Sequence, residues 1–429
     1  MKKSIYILLA IGMILPLPHV AFAEIESDTS ANIVLSQQTV VERVLKNNLG
    51  LKALQSELRS KEALFRQEKA WKNPEFEVEA ENVLGTGASK GFDSAETTYK
   101  FSEEFELWGK RGFRIQVAEL ELALSKNRYQ QFKLSLLKSV NDLYSQVMAA
   151  QEKVLLAQEK VELNKSLMTE IRRMVKAGRF SSVEEKRTHI RLSKSTLSEK
   201  KAKKELAILK HQLSLLWGDK TPLFENVEKT ELDLEKEETN SLGALQEKLT
   251  LGPESNLLDI EKELVLLYLK QDQSEALPNL TLSGGIKDSR ADNTQTWVFG
   301  AAFPFPIFDR NGGKIESAKA NLEQRDKETD ASKQALYLAL TKLYHQKALI
   351  RENLVSLKTS IIPDAQDVYQ SVRKGYLKGR YSYLDLFDAQ DSLFELKENY
   401  AEAVADFYRT RAEIWVLVGN EIKLKGETL

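Results

Sequence analysis

The stretch FPFPIFDRNGGKIESA, residues 303–318, passes from an aromatic run with two prolines, through Asp-Arg-Asn-Gly-Gly, into a charged segment that favours a helix. The stretch FELWGKRGFRIQVA, residues 105–118, makes the same transition two hundred residues earlier. Proline ends strand pairing, and glycine permits an abrupt change of direction. The sequence therefore predicts two corners, each between a strand and a long helix, with the turn made by Gly109, Gly112, Gly312 and Gly313.

A chain that makes one transition twice is predicted to be an internal duplication. Each half is expected to contain a helix, two strands and a long helical hairpin, in that order. A bulky side chain at Gly112 or Gly312 is expected to damage assembly before it damages function, because both glycines lie at the predicted corners.

Residues 1–23 have the features of an export signal. Two lysines precede an apolar run that is closed by proline, and an Ala-Phe-Ala site predicts cleavage before Glu24. The predicted mature chain contains no cysteine, so we expect no disulfide, no thiolate metal site and no lipid-bearing amino-terminal cysteine. Residues 24–72 are predicted to form an N-terminal tail and a helix.

The charge balance limits the possible partners. The chain has 62 basic and 63 acidic residues, which argues against a nucleic-acid partner. Beyond the predicted signal, no run approaches the roughly 20 apolar residues that a membrane-spanning helix needs. A helical membrane protein is therefore excluded.

Two segments, 109–218 and 309–419, are predicted to form antiparallel helical hairpins. Their apolar residues recur at alternating steps of four and three, which is typical of a coiled-coil seam. The seam of the first long helix consists of Leu136, Val140, Leu143, Val147, Ala150, Val154, Ala157, Val161, Asn164, Met168, Ile171 and Val175. Each long helix spans about 60 residues, or roughly 90 Å. Gly178 and Gly379 are predicted at the hairpin tips, and Pro363 should kink or break the second long helix.

A pair of two-faced strands precedes each hairpin, within 73–108 and 277–308. In residues 75–81, glutamates alternate with apolar side chains. The second strand of the first pair has Tyr99, Phe101, Phe105 and Leu107 on one face, with Glu103 as the exception. Strands of about 10 to 12 residues are long enough to cross a bilayer at a tilt. We expect the apolar face to contact lipid and the glutamates to face partly into a lumen.

Four such strands cannot close a barrel alone, because unpaired backbone groups at a sheet edge are costly in lipid. Two copies would give eight strands and a filled interior, whereas three copies give twelve strands and an open lumen. The fold class predicted is therefore mainly α with a membrane β-barrel: helical hairpins form an α-barrel, and a homotrimer contributes twelve strands. The remaining segments are a connector over 219–240, a helix over 241–276 and a tail over 420–429.

The duplicated plan and several motifs resemble the TolC-type outer-membrane efflux channels. The motifs are the GKRG and DRNGG corners, the Asn73-Pro74 and Leu277-Pro278 strand entries, and GRYSYLDLFDAQDSLFE. The stretch EEFELWGKRGFRIQVAE is most similar to the branch that serves heavy-metal exporters of the resistance-nodulation-division class. The resemblance implies a trimeric duct in outer-membrane lipid of a Gram-negative bacterium, which docks to a periplasmic adaptor and an inner-membrane pump.

The resemblance also suggests roles for residues near the tips. Aspartates at the positions of Asp385 and Asp388 line a constricted periplasmic mouth in such channels, although acids in the first turn of a helix also complement its dipole. Polar tethers between hairpins are expected at Tyr376, Tyr381 and Glu184, whose alternative interpretation is exposed turn residues. Adaptor docking is expected at the two tips, which comprise Gly178, Arg179, Gly379 and Arg380.

No catalytic, cofactor or metal site is predicted. His189, His211 and His345 lie in different predicted helices without a partner at metal-ligand spacing. We expect a non-enzymatic exit duct of a tripartite efflux pump, exporting heavy-metal cations that the pump selects. Two alternatives stay open: a multidrug or protein-secretion duct of the same architecture, and a periplasmic coiled-coil adaptor or structural protein, against which the four strands argue.

Overall fold

The computed structural model of the chain describes residues 33–229, 232 and 240–419. The predicted signal peptide, the cleavage site before Glu24 and the tail over 420–429 lie outside the described residues. So do residues 230–231 and 233–239 of the predicted connector.

The described elements repeat one order twice: helices, two strands and a long helical hairpin. In chain order they are β1 (Val34–Leu35), α1 (Gln37–Asn47), α2 (Leu49–Glu68), β2 (Glu75–Glu81), β3 (Glu96–Phe105), α3 (Lys110–Lys176), α4 (Ser182–Leu215), β4 (Asn226–Val227), α5 (Leu242–Thr250), α6 (Pro253–Glu275), β5 (Leu280–Ser289), β6 (Thr294–Ala302), α7 (Gly312–Ser356), α8 (Ile362–Tyr376) and α9 (Tyr383–Leu417). A single-turn 3-10 helix lies between β2 and β3, and a π-helical turn lies between α7 and α8. The predicted duplication is therefore present in the described chain.

The four longer strands form one antiparallel sheet in the order β2-β3-β5-β6. The register places Phe76 opposite Phe101, and Tyr99 opposite Ile286, which in turn lies opposite Trp297. Directly paired residues share a face, so these side chains form one apolar surface. The glutamates of β2 lie on the other face, where Glu77 forms an ion pair with Lys100 on β3. The predicted two-faced strands are therefore confirmed, and β2 and β6 are the edges of the sheet.

The long helices form a layer four helices wide. Near the sheet the helices lie side by side in the order α2, α3, α6 and α7. Near the hairpin tips the order is α4, α3 and α9, and α9 then contacts both α7 and α8. Asn48, before α2, donates its side-chain amide to the Leu216 carbonyl after α4 at 2.9 Å. The backbone of Gly252, before α6, lies against the Leu417 carbonyl at the end of α9. Short and long helices therefore meet end to end, and α3 runs the length of both levels.

Helix α3 is continuous over 67 residues, or about 100 Å. Ten of the twelve predicted seam residues are buried, and Leu143 and Val175 are half-buried. The seam prediction is thus confirmed, but α3 also buries a second stripe. That stripe includes Leu137, Tyr144, Met148, Ala149, Leu156 and Leu167. It follows that α3 packs against two long helices, α4 in its own hairpin and α9 in the other.

The second long helix is interrupted where Pro363 was expected to disturb it. A π-helical turn, Leu357–Ile361, separates α7 from α8, and Pro363 lies in the first turn of α8. Proline lacks the backbone N–H that an α-helical turn would use, and the wider turn accommodates this loss. No such interruption occurs in α3, which has no proline at the corresponding place.

A small parallel pairing between β1 and β4 was not predicted. Val34 pairs with Asn226 and Leu35 with Val227, so the segment before α1 joins the predicted connector. The Tyr144 hydroxyl donates towards the carbonyls of Leu35 at 3.1 Å and Glu228 at 2.8 Å, which fixes this pair against α3. The two segments were predicted to be separate, because strands of two residues have no periodic pattern in the sequence.

The predicted corner geometry needs a correction. Gly109 precedes α3 with φ +76°, and Trp108 beside it has φ +60°; at the second corner the left-handed residue is Asn311, with φ +58°. By contrast, Gly112, Gly312 and Gly313 are not in the left-handed region, and a Cβ added to any of them would meet no atom within 4 Å. The turn role assigned to these three glycines is therefore wrong. Because α3 begins at Lys110 and α7 at Gly312, all three already lie in a helical turn.

Within the residues that the structure describes, no helix combines the length and the apolar character needed to span a membrane.

Candidate functional site: the hairpin tips

Both hairpins turn through the same backbone motif. At the first tip, the Gly178 amide donates to the Val175 carbonyl and the Arg179 amide to the Met174 carbonyl; at the second, the Gly379 amide donates to Tyr376 and the Arg380 amide to Gly375. This pair of bonds is the Schellman motif, which needs a left-handed residue. Both glycines have φ near +70° (+70° and +74°), so their role in turn geometry is fixed by the structure. The arginine that follows each glycine, Arg179 at the first tip and Arg380 at the second, is exposed to solvent.

The two tips are joined by a hydrogen bond within one chain. The Tyr376 hydroxyl at the end of α8 donates to Glu184 Oε2 in the first turn of α4, at 3.1 Å. Tyr376 is only 2% exposed, and its ring lies 5.3 Å from that of Phe180. Burial raises the pKa of Tyr376, and the charge of Glu184 raises it further, so the phenol stays protonated and keeps donating. The structure therefore brings together two of the predicted tether residues.

Apolar packing supports this contact. The cluster around it draws on α3, α8 and α9, and contains Leu167, Ile171, Tyr369, Val372, Tyr376, Leu386, Phe387 and Leu393. Because these residues come from both hairpins, the tips share one core.

Tyr381, the third predicted tether, has a different environment. Its side chain is 47% exposed, and its ring covers Gly375 so closely that a Cβ at that position would overlap it. The packing keeps position 375 small. The structure of one chain thus places Tyr381 on the surface of the second tip.

Asp385 and Asp388 lie in the first two turns of α9, and both are exposed. Asp385 completes a capping box: its Oδ2 accepts from the Ser382 amide at 2.8 Å, and its own amide donates to Ser382 Oγ at 3.2 Å. The bond from the Ser382 backbone lowers the pKa of Asp385. The helix-start role is therefore present within one chain, and the carboxylate stays charged in the physiological pH range.

A second link between the hairpins was not predicted. Arg191 of α4 contacts the carboxylate of Asp391 on α9, donates to the Phe387 carbonyl at 3.2 Å, and places its guanidinium 4.3 Å from the Phe387 ring. Lys160 of α3 reaches the other oxygen of Asp391 at 2.8 Å. Three helices thus meet on one carboxylate. The spacing in the sequence could have indicated Arg191, because this residue lies seven positions beyond Glu184 and therefore on the same face of α4.

Four further ion pairs continue this link along the contact between α3 and α9. They are Glu159–Lys397 at 3.5 Å, Lys153–Glu402 at 2.5 Å, Asp142–Arg409 at 2.7 Å and Lys138–Glu413 at 2.9 Å. Within the first hairpin, Arg172 of α3 pairs with Glu185 of α4 at 3.0 Å. Exposed pairs contribute about 0–1 kcal/mol each, so those between α3 and α9 favour alignment of the hairpins more than they add stability.

Within the described residues, no group of three or more His, Cys, Asp or Glu side chains is arranged to hold a metal ion. The histidines His189 and His211 lie on α4, and His345 lies on α7. The two α4 histidines were predicted in different helices, and this detail is wrong because α4 is continuous through both.

Comparison with known proteins gives consistent matches. The sequence profile described as outer membrane efflux protein matches residues 40–219 and 267–420. The cobalt-zinc-cadmium resistance protein CzcC of Cupriavidus metallidurans is 26% identical over 411 residues, which cover 93% of this chain and 96% of that protein. The nickel-cobalt-cadmium resistance protein NccC of Alcaligenes xylosoxydans xylosoxydans is 25% identical over 59% of this chain and 56% of its own length.

Solved structures share the fold. The chain is similar to CusC, with a TM-score of 0.77 and 15% identity over 90% of this chain and 92% of that one. It is also similar to the outer membrane protein VceC of Vibrio cholerae, with a TM-score of 0.76 and 15% identity over 90% of this chain and 96% of that one. At these identities the likeness is one of fold, and it supports long helical hairpins beneath a four-stranded sheet.

Proposed function

The chain belongs to the outer membrane efflux protein family, and from this membership we propose that it is the exit duct of a tripartite efflux pump that exports heavy-metal cations. The observation that carries the proposal is the family match over both halves of the chain. The metal cargo is supported by the names of the relatives, which describe resistance to cobalt, zinc, cadmium and nickel. Catalysis has no part in this role, since a duct lowers a barrier to passage by providing a route.

The proposed assembly is a homotrimer, and the edges of the single chain support it. The edge strands β2 and β6 have unpaired outer backbone groups, which a head-to-tail neighbour would pair. The edge helices are also unfinished: Val183, Ile190 and Leu197 are exposed on α4 at steps of seven, and exposed apolar residues occur on the opposite edge as well. Three copies give twelve strands, enough for an open lumen.

The proposed route for cations runs along the polar face of the sheet. In β2 the four glutamates at alternate positions lie on this face, and Lys100 and Lys287 are the basic strand residues opposite them. Acidic side chains therefore outnumber basic ones on the face that would line the lumen. Such a surface attracts cations without selecting among them, so the choice of metal is left to the pump.

The proposed gate is at the hairpin tips. In a ring of three chains, Asp385 and Asp388 would place six carboxylates around one axis, where like charges repel and multivalent cations bind. The bond between Tyr376 and Glu184 and the Arg191 link would hold the tips in the closed arrangement. We also propose that the tips, Gly178 with Arg179 and Gly379 with Arg380, dock the periplasmic adaptor that connects the duct to its inner-membrane pump.

The experiment that tests this function is gene deletion with separate scoring of cargo. The deletion strain should become sensitive to cobalt, zinc, cadmium or nickel, and plasmid-borne wild type should restore growth. The purified protein should need strong detergent for extraction and should run as an oligomer unless heated. Sensitivity to dyes alone would identify a multidrug duct, loss of secreted protein alone would identify a secretion duct, and extraction by salt would identify a periplasmic adaptor. The cleaved signal and the absence of a lipid anchor stay predictions.

A further inference from the structure

Glu103 places a carboxylate on the apolar face of the sheet. It follows Phe101 and precedes Phe105 at alternate positions of β3, and it pairs with Leu282 of β5, which in turn pairs with Ala301 of β6. Paired and alternate residues share a face, so the carboxylate is surrounded by apolar neighbours along the strand and across it. Its side chain is exposed. In the proposed duct this face contacts lipid, and an ionised group there is costly unless it is paired.

The strands themselves supply no cation for this carboxylate. The two basic residues of the four strands, Lys100 and Lys287, lie on the polar face and pair there with Glu77, Glu81 and Glu96. A neighbouring copy would not supply one from its strands either, because β3 is an inner strand whose two neighbours, β2 and β5, belong to the same chain. The strands of one chain and of a neighbouring copy therefore leave Glu103 without a cationic partner, and the membrane is the source that the proposal below takes up.

The height of Glu103 in the sheet identifies which part of the membrane it meets. It lies two residues from the end of β3 that leads into a long helix, and this end faces the periplasm in the proposed duct. Below it the apolar surface continues in the exposed side chains of Trp108, Phe303, Phe305 and Phe308. Aromatic side chains in such a position mark the boundary between acyl chains and headgroups. Glu103 is therefore within reach of the headgroups of the periplasmic leaflet.

We propose that Glu103 binds the primary ammonium group of a phospholipid headgroup, with the acyl chains lying along the apolar face of β3 and β5. This inference rests on the proposed function, because it requires the sheet to be embedded in a bilayer. The occupant follows from charge complementarity: a headgroup with an ammonium donates to the carboxylate, whereas a headgroup with only negative charge and hydroxyls is repelled. The bound lipid would form part of the seal around the duct.

The test compares lipid retention by purified oligomers of wild type, E103Q and E104Q. Glu104 is the matched control, since it lies at the same height on the opposite face, where it pairs with Lys72. Each protein is reconstituted in nanodiscs of phosphatidylethanolamine and phosphatidylglycerol with identical acyl chains, and retained lipid is counted by native mass spectrometry. Wild type and E104Q should retain phosphatidylethanolamine preferentially. E103Q should lose about two- to fivefold of that preference, which corresponds to the upper half of the range for one exposed ion pair.

Three results would overturn the lipid site: no preference in wild type, an unchanged preference in E103Q, or an equal loss in E104Q. In each case an oligomer that inserts and conducts ions would leave the proposed duct intact. A wild-type protein that fails to insert into any bilayer would instead refute the duct, and the lipid site with it. A further variant, E103D, keeps the charge and should keep the preference, which separates charge from shape.

Discussion

Replacing Tyr376 with phenylalanine removes one hydroxyl and leaves the ring in place against Phe180. The lost contact is the bond that the hydroxyl donates to Glu184 at 3.1 Å, which joins the two hairpin tips of one chain. A bond to a charged acceptor contributes about 1.5–3 kcal/mol when buried, and the half-buried state of Glu184 reduces this to about 1 kcal/mol. The change therefore removes a contact between the two hairpin tips without opening a cavity, and in the proposed gate it would weaken the closed arrangement.

The effect multiplies in the proposed trimer. If the three chains open as a unit, the closed state loses about 3 kcal/mol, which changes the ratio of closed to open channels by about 150-fold. Single-channel recording in planar bilayers should show larger or longer openings for Tyr376→Phe. Burial raises the pKa of Tyr376 above the usual value near 10. The contribution of the bond to closure is thus fully present below pH 10 and is lost only as the pH rises through that raised pKa.

Tyr381→Phe is the control for this experiment, because Tyr381 is exposed and lies on the same tip. The hydroxyl that bonds to Glu184 belongs to Tyr376 and not to Tyr381. Its traces should match those of wild type. Equal conductance in Tyr376→Phe and wild type, with both oligomers intact, would show that the hydroxyl does not hold the gate and would refute the reasoning.

Three further predictions concern the tips and the corners. Asp385→Asn with Asp388→Asn should raise conductance and weaken block by multivalent cations, and unchanged traces would leave only the helix-start role. Capping lowers the pKa of Asp385, so the contribution of this carboxylate to block in wild type should persist at neutral pH and be lost only as the pH falls through that lowered pKa. Arg191→Met should also raise conductance, because it breaks the ion pair with Asp391 between the two hairpins. Breaking the Arg172–Glu185 pair inside the first hairpin should leave conductance unchanged, and equal effects of the two changes would contradict a link between hairpins. Gly109→Ala should lower the temperature at which the oligomer dissociates on gels, because an alanine in the left-handed region is strained by about 1–2 kcal/mol. Gly112→Ala should raise that temperature slightly, because Gly112 lies in a helical turn with room for a Cβ and alanine favours a helix. The reverse order would refute the corner assignment.

The fold was largely predictable because its elements are long and periodic. The seam of α3 has twelve positions between residues 136 and 175, and β3 alternates along its length with Glu103 as the exception, so both periodicities were clear in the sequence. The duplication allowed each to be compared with its copy. The second buried stripe of α3 was missed for a physical reason. Side chains such as Tyr144 and Met148 fit a coiled-coil flank as well as a second interface, so only the neighbouring helix decides between them.

The candidate site was predictable where residues follow a turn motif and not where they meet across the layer. Gly178 and Gly379 could be placed from sequence, because left-handed turns favour glycine. The meeting of Arg191 with Asp391 joins positions two hundred residues apart. The spacing of Arg191 from Glu184 indicates its face of α4 but not its partner on α9. The left-handed turn residue at the second corner, Asn311, was not predicted, because the turn was assigned to the two glycines that follow it. Asparagine also tolerates the left-handed region.

The two-residue pairing of β1 with β4 determines when the first half of the molecule can finish folding. Its strands are separated by the whole of the first sheet pair and the first hairpin, so the loop that it closes contains nearly half of the chain. Closing so long a loop is entropically costly and therefore late, and local helices form long before it. A chain emerging amino-terminus first also holds β2 and β3 as an unfinished sheet until β5 and β6, residues 280–302, have arrived. During that interval its exposed strand edges are the part of the protein that most needs protection from aggregation.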